Sequence, residues 1–257
     1  MSWQGSYIAF RTLVVKEVRR FMRIWVQTIV PPVITTALYF IIFGHLIGSR
    51  IGDVSGHSYM DYIVPGVIMM SIINNAYSNV VSSFYSSKFQ HYVEELLIAP
   101  IPNWLILTGF LVGGVARGLT VGVVVSVVAV FFTGFKMHSA LVTLAVALLT
   151  AVLFALGGFI NAVYAKSFDD ISIVPTFILT PLTYLGGVFY SVDMLPPFWH
   201  HVSLFNPILY MVNAFRYGFL GVSDIPLTTA FAIILAFIAA LYTYSLYLLK
   251  KGIGIRT

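Results

Sequence analysis

Apolar runs of about twenty residues or more follow one another along this sequence, parted only by short polar links. Such a pattern has no water-soluble fold available to it. Of the 257 residues, 59% are hydrophobic and 9% are charged, and the mean hydropathy is +0.94. Soluble domains carry roughly a quarter charged residues. The chain therefore reads as an all-α integral membrane protein, with 1–257 forming one helical unit and no soluble domain to cut away. Six transmembrane helices are predicted, at about 24–48, 61–83, 105–132, 140–165, 171–190 and 227–249. Cysteine is absent, which excludes disulfides and thiolate metal sites. The formal charge of +5 bears on topology and anionic lipid rather than on nucleic acid. No cleaved signal peptide is expected, because the first 23 residues hold five basic residues and no short apolar core with a cleavage site.

Residues 7–25 precede the first span. At about 100° per residue, Tyr7, Phe10, Val14, Val18, Phe21 and Trp25 share one face, and Lys16, Arg19, Arg20 and Arg23 gather opposite. This predicts a basic amphipathic helix in the membrane interface; the plainer reading is a cytosolic tail that only sets orientation. Pro31-Pro32 is expected to break the first span near its entry. On the second span, Ser71, Asn74, Asn75, Ser78 and Ser82 fall in one stripe. Thr176, Thr180 and Thr183 form another on the fifth. Polar side chains at membrane depth face protein or water, so these stripes either line a translocation path or bond helices together.

Between the second and third spans, Ser87-Lys88-Phe89-Gln90 fits a capping box. It predicts a short amphipathic helix over 87–98, with Phe89, Tyr92, Val93 and Leu96 on one face and His91, Glu94 and Glu95 on the other. Such a helix suits docking of a soluble partner; alone it equally suits a solvated connector. Gly109, Gly113, Gly114, Gly118 and Gly122 on the third span favour close helix approach. Arg117 in the same span is expensive unless paired, and the expectation is structural pairing with an acid or carbonyls in preference to solute contact.

The stretch 168–221 is apolar yet broken by Pro175, Pro181, Gly186-Gly187, Pro196-Pro197, Asn206-Pro207 and Arg216. Backbone interrupted this often survives at membrane depth only under cover of protein or beside a water-filled cavity. The reading is one kinked span over 171–190 and a re-entrant outer region over 191–221, since 207–221 is about half the length a span needs. Charge supports it. With six spans, the basic residues before residue 24, Lys88, Lys166, Lys250, Lys251 and Arg256 lie on one side, against Arg50, Lys136 and Arg216 on the other. Both termini are then cytoplasmic.

There is no phosphate-cradling loop, no His-Glu-x-x-His and no Gly-x-Ser-x-Gly, so neither nucleotide hydrolysis nor intramembrane catalysis is expected of this chain. His200-His201 are adjacent and read as interface residues, not as a chelating pair. Pro181, Tyr184-Leu185-Gly186-Gly187, Phe189, Leu195-Pro196, Asn206-Pro207, Tyr210 and Arg216, together with Glu94-Glu95-Leu96-Leu97 and Pro100, carry a resemblance. Over essentially its whole length the sequence resembles the type 2 ATP-binding-cassette (ABC-2) exporter permeases, and is especially similar to short bacterial inner-membrane permeases of unassigned substrate. The resemblance implies a homodimer that forms the path and is driven by a separate ATPase subunit. ATP and Mg would sit on that ATPase, with no cofactor on this chain. It implies a coupling helix with Lys88, Gln90, His91, Glu94, Glu95 and Leu97 at the ATPase. It also implies an outer gate of Tyr184, Gly186, Gly187, Pro196, Phe198, Trp199, Asn206 and Arg216. A stand-alone secondary transporter or channel is the alternative; a lipid-acting enzyme is disfavoured by the missing catalytic constellation.

Overall fold

A computed structural model describes residues 3–134 and 137–254, the side chain of Ser49 excepted. Lys136 and Arg256, counted in the charge bias above, lie outside the described residues. Helix α1 (Trp3–Arg23) meets α2 (Trp25–Tyr39) at a break on Ile24, and α2 runs on into a π-helical stretch, Phe40–Ile47, and the one-turn α3 (Gly48–Ile51). A two-residue antiparallel ladder, β1 (Asp53–Val54) with β2 (His57–Ser58), turns the chain into α4 (Tyr59–Phe89). Then come α5 (Tyr92–Ile98), α6 (Asn103–Val130) and α7 (Ala140–Tyr164). Next, α8 (Asp170–Val174), a π-helical turn Pro175–Leu179 and α9 (Thr180–Tyr184) form one continuous rod. Helices α10 (Pro197–Leu204), α11 (Pro207–Leu220) and α12 (Leu227–Lys251) complete the chain.

Among the described residues four helical stretches are long and apolar enough to cross a membrane: Trp25–Ile47, Asn103–Val130, Ala140–Tyr164 and Leu227–Lys251. Helix α4 has the length, about 46 Å at 1.5 Å per residue, but is diluted by serines and asparagines. The α8–α9 rod is shorter than the expected fifth span. It stops at Tyr184 rather than 190, where the chain turns through Gly187 at φ +69°, a conformation open to glycine. Pro31 and Pro32 do not break α2; the break lies earlier, at Ile24, and the helix continues through both prolines.

Helix α4 is the axis, and α6 and α7 pack most heavily upon it. The register is set where side chains are missing. A Cβ on Gly114 would lie 2.9 Å from Ala76 O, and one on Gly118 3.1 Å from Ile72 O, so α6 runs antiparallel to α4 with backbones nearly touching. A Cβ on Gly158 would lie 2.5 Å from Tyr77 O, which seats α7 as closely on the other flank. The glycine spacing read from the sequence is thus a packing device. Phe84, Phe110 and Phe159 interlock across these three helices near one end, with Phe84 4.4 Å from Phe159 and 5.2 Å from Phe110.

On helix α1 the side packed on protein is Leu13, Glu17 and Phe21; of the apolar face expected at the membrane interface, Phe21 is buried while Tyr7 and Trp25 stay exposed. Leu13 and Glu17 fit over Gly109 and Gly113, so α1 lies along the first turns of α6. The helix turns Glu17 inward because α6 has no side chains there to keep it out.

Gly158→Val is expected to lower the thermal unfolding midpoint of the detergent-purified protein, at a cost of roughly 1–3 kcal/mol, because the added atoms meet backbone that cannot yield. Gly157→Ala, whose Cβ meets nothing nearer than a Tyr77 ring carbon at 3.7 Å, is expected to leave the midpoint unchanged or raised.

Candidate functional site

Between Tyr62 and Ser87, every residue of α4 is buried except Met70, Asn74, Ser78, Ser82 and Ser86. These recur every fourth residue, so the opening winds around α4 by about 40° per step. Four of the five are polar, which makes a narrow polar strip along the axis of an otherwise apolar bundle. Of the sequence-predicted stripe, Asn74, Ser78 and Ser82 lie on it. Ser71 and Asn75 are buried beside it, bonded back to Val67 O (3.1 Å) and Ser71 O (3.0 Å). The threonines differ in exposure. Thr176 and Thr180 are exposed and Thr183 is buried. Thr180 Oγ1 donates to Pro175 O at 2.9 Å, supplying a bond to the π-helical turn, and Thr183 Oγ1 donates to Leu179 O at 2.7 Å. Among the described residues no hydrogen bond joins the two stripes.

A charged network borders the strip. Glu17 is fully buried and its Oε2 accepts from Ser83 Oγ at 2.6 Å. Arg20 Nε stands 3.5 Å from the same oxygen. Arg20 also donates from Nη2 to Asn79 O (2.8 Å) and Asn79 Oδ1 (2.9 Å), and from Nη1 to Ser82 Oγ on the strip (3.4 Å). One helical turn away, Arg117 Nε donates to Asn75 Oδ1 at 3.3 Å. The partner of Arg117 is thus a side-chain carbonyl of the neighbouring helix rather than an acid. Glu17 and Asn79 escaped the sequence reading. The available signal was that Glu17 is the only acid before Asp53 and lies off the basic face of α1.

At the end of α4 the expected capping box does not form. Ser87 lies inside α4 and donates to Ser83 O at 3.0 Å, so α4 continues to Phe89 and the short helix is α5, Tyr92–Ile98, not 87–98. His91 takes the left-handed conformation at the corner (φ 61°), and its Nδ1 lies 3.0 Å from Glu94 Oε1. Of the apolar face Phe89, Tyr92, Val93 and Leu96, Phe89 and Tyr92 are exposed, Leu96 is half-buried and Val93 is buried. Lys88 turns inward. Its Nζ donates to Val163 O (2.7 Å) and Ala165 O (2.8 Å), closing the C-terminal carbonyls of α7. Burial pushes the Lys88 ammonium below its ordinary pKa. Gln90 bonds back to Ser86 O. Glu95 is exposed, and Glu94 and Leu97 are half-buried. A cleft of about 550 Å³ opens here, lined by Lys88, His91, Glu94, Tyr164, Lys166 and Ile253 among others.

At the opposite end the residues expected to form an outer gate are tied together. Arg216 is 1% exposed. Its Nη2 donates to Gly187 O at 2.6 Å, its Nε to Tyr62 O at 3.4 Å, and its guanidinium lies 3.9 Å over the Tyr62 ring. One side chain therefore joins α11, the Gly186–Gly187 turn and α4. Asn206 caps α11 through Ile208 N (3.0 Å) and donates to Leu182 O (2.6 Å). Gly186 lies beneath Ile208, where a Cβ would sit 2.7 Å from that side chain. The Tyr184 hydroxyl meets the Tyr39 hydroxyl at 3.3 Å. Pro196 opens α10, and Phe198 and Trp199 are exposed upon it. Asp224, unremarked in the sequence, accepts from Ser191 Oγ (3.0 Å) and Val192 N (3.3 Å), pinning the start of the cap. Among the described residues no group of three metal-ligating side chains occurs.

Arg216→Met is expected to destabilise the protein by about 1.5–3 kcal/mol through loss of charge-assisted bonds. Limited proteolysis should then cut faster within 185–206, the segment that Arg216 holds.

Residues 8–220 match the ABC-2 type transporter family. The chain is 58% identical over 251 residues to the inner membrane transport permease YadH of Escherichia coli K12, covering 98% of each chain. It is 23% identical over 220 residues to nodulation protein J of Rhizobium leguminosarum bv. viciae, covering 85% of this chain and 81% of that one. A family match over most of the chain and a full-length relative at this identity establish that the protein belongs to the ABC-2 type transporter family.

Proposed function

We propose that this chain is the permease subunit of an ATP-driven exporter of the bacterial inner membrane, forming the translocation path as a dimer with a second copy. The observation that carries the reading is the polar strip Asn74–Ser78–Ser82–Ser86, continuous along the central helix and flanked by charge. A path for solute needs such a strip, and bonding between helices alone would leave it covered.

The topology that goes with this reading has six crossings. Helices α4, α7 and α12 point one way, and α2, α6 and the α8–α9 rod the other, as their glycine contacts and end-to-end bonds indicate. Helices α10 and α11 form the re-entrant outer cap. Both ends of α11 lie near the same end of the bundle: Asn206 bonds Leu182 O late in the rod, and Gly218 lies against Thr143 early in α7. The termini and α5 are then cytoplasmic, in keeping with the basic residues there. The ATPase docks on α5 and its cleft, through His91, Glu94, Glu95 and Leu97. Lys88 and Gln90 instead fix the angle of that helix from behind. ATP and Mg belong to the partner, which moves α5 and thereby α4. The relative's name, inner membrane transport permease, agrees with the location and role.

Glu94→Ala with Glu95→Ala is expected to abolish co-purification of the ATPase while the permease still folds. Intact complex formation and intact ATPase coupling in that double variant would remove the docking assignment. Ser78→Trp is expected to stop transport with normal expression and normal ATPase binding. If its transport equals wild type, the strip is not the path.

A further inference from the structure

Arg117 is a charged group that neither the cap nor the docking helix uses. It sits about 21 Å into α6 at 1.5 Å per residue, well within an apolar run. Among the described residues only its Nε is bonded, to Asn75 Oδ1 at 3.3 Å. No carboxylate pairs with it among the described residues. Its four Nη protons have no acceptor there, yet the two Nη atoms are not sealed off. A cation at membrane depth without a counter-charge is costly, so its persistence asks for an anion.

The surroundings are built for one. Asn79, one turn along α4 from Asn75, is 0% exposed and its Nδ2 has no acceptor. Arg20 bonds the same asparagine and reaches Ser82 on the strip. The one acid nearby, Glu17, accepts from Ser83 through Oε2, which lies 3.5 Å from Arg20 Nε, while its Oε1 stands 3.9 Å from Lys16 without a hydrogen bond. Two cations thus lie within 4 Å of one carboxylate, and Arg117 adds a third positive charge one helical turn away. Arg216 is the internal contrast: more deeply buried than Arg117, it spends its guanidinium on carbonyls and an aromatic ring. Guanidinium forks suit phosphate oxygens, and an apolar bundle around them suits an acyl or prenyl tail.

We propose that Arg117, backed by Arg20, receives a phosphate group carried on an amphiphilic molecule, alongside the polar strip of α4. The proposal rests on the strip being the path, and it names the class of solute.

The test needs no ATPase. Full-length protein in dodecyl maltoside is titrated with dodecyl phosphate, and its thermal unfolding midpoint is followed. Wild type should show a saturable rise. R117Q should weaken the apparent affinity about tenfold or more. R117K should retain part of it, keeping charge without the fork, and R23Q, on an exposed arginine, should match wild type. A flat wild-type titration, an unaltered response in R117Q, or an equal loss in R23Q overturns the site. Inorganic phosphate alone producing the same rise overturns the amphiphile assignment. A higher midpoint in phosphatidylglycerol than in phosphatidylcholine nanodiscs, lost in R117Q, supports the site and identifies its source as a membrane lipid headgroup. Because binding is read without the partner, its failure leaves the permease reading standing, and failed ATPase docking leaves the phosphate site standing.

Discussion

Helix α4 is gripped on two flanks by helices that have no side chain where they touch it. Gly114 and Gly118 of α6 face the carbonyls of Ala76 and Ile72, and Gly158 of α7 faces that of Tyr77. Apolar burial gives little drive for helix association in hydrocarbon, where lipid tails are as apolar as leucine. Close backbone approach supplies dispersion contact instead, and it fixes translation and rotation of α4 together. The rotation decides which α4 side chains remain open, so the polar strip exists only because the glycines hold that register.

The same constraint governs the charged groups. Any N–H or guanidinium inside the bundle must find an oxygen from the protein or from what the protein carries. Arg216 finds Gly187 O and Tyr62 O, and in doing so closes one end into a cap. Lys88 finds Val163 O and Ala165 O, and ties the other end, where α4 meets α7, so that α5 projects at a set angle. Arg20 and Glu17 tie α1 to the same axis. Arg117, bonded through one nitrogen, breaks the pattern.

Helix location was legible from hydropathy wherever a run was long and free of breakers, as in α6, α7 and α12. It was less so at boundaries set by competition. Ser87 has the spacing of a cap, yet a serine within a helix can bond four residues back, and Ser87 does so because α4 has packing on both sides to keep it helical. The α8–α9 rod ends early because Gly187 turns, which its neighbour Gly186 did not distinguish in the sequence. The α4 stripe was visible as five residues on one face, but whether each is open or buried was not, since periodicity gives direction and not the position of neighbours. For Glu17 the residue type was visible and its inward turn was not. A lone acid near a basic face reads as solvated until Gly113 is found opposite it.

By itself, the sequence determined that the chain lives in a membrane, that it is built mainly of helices, that it carries no nucleotide or catalytic motif, and that the region after Asp170 is broken. These follow from residue chemistry and spacing along one helix. The tertiary structure alone decided the partners: Arg216 with Gly187 and Tyr62, Glu17 with Ser83 and Arg20, Lys88 with the end of α7, and the opening of Asn74, Ser78 and Ser82. Such pairings join residues as far apart as Tyr62 and Arg216. They depend on how closely α1, α6, α7 and α11 approach α4, a distance set by contacts between helices that no single helix records.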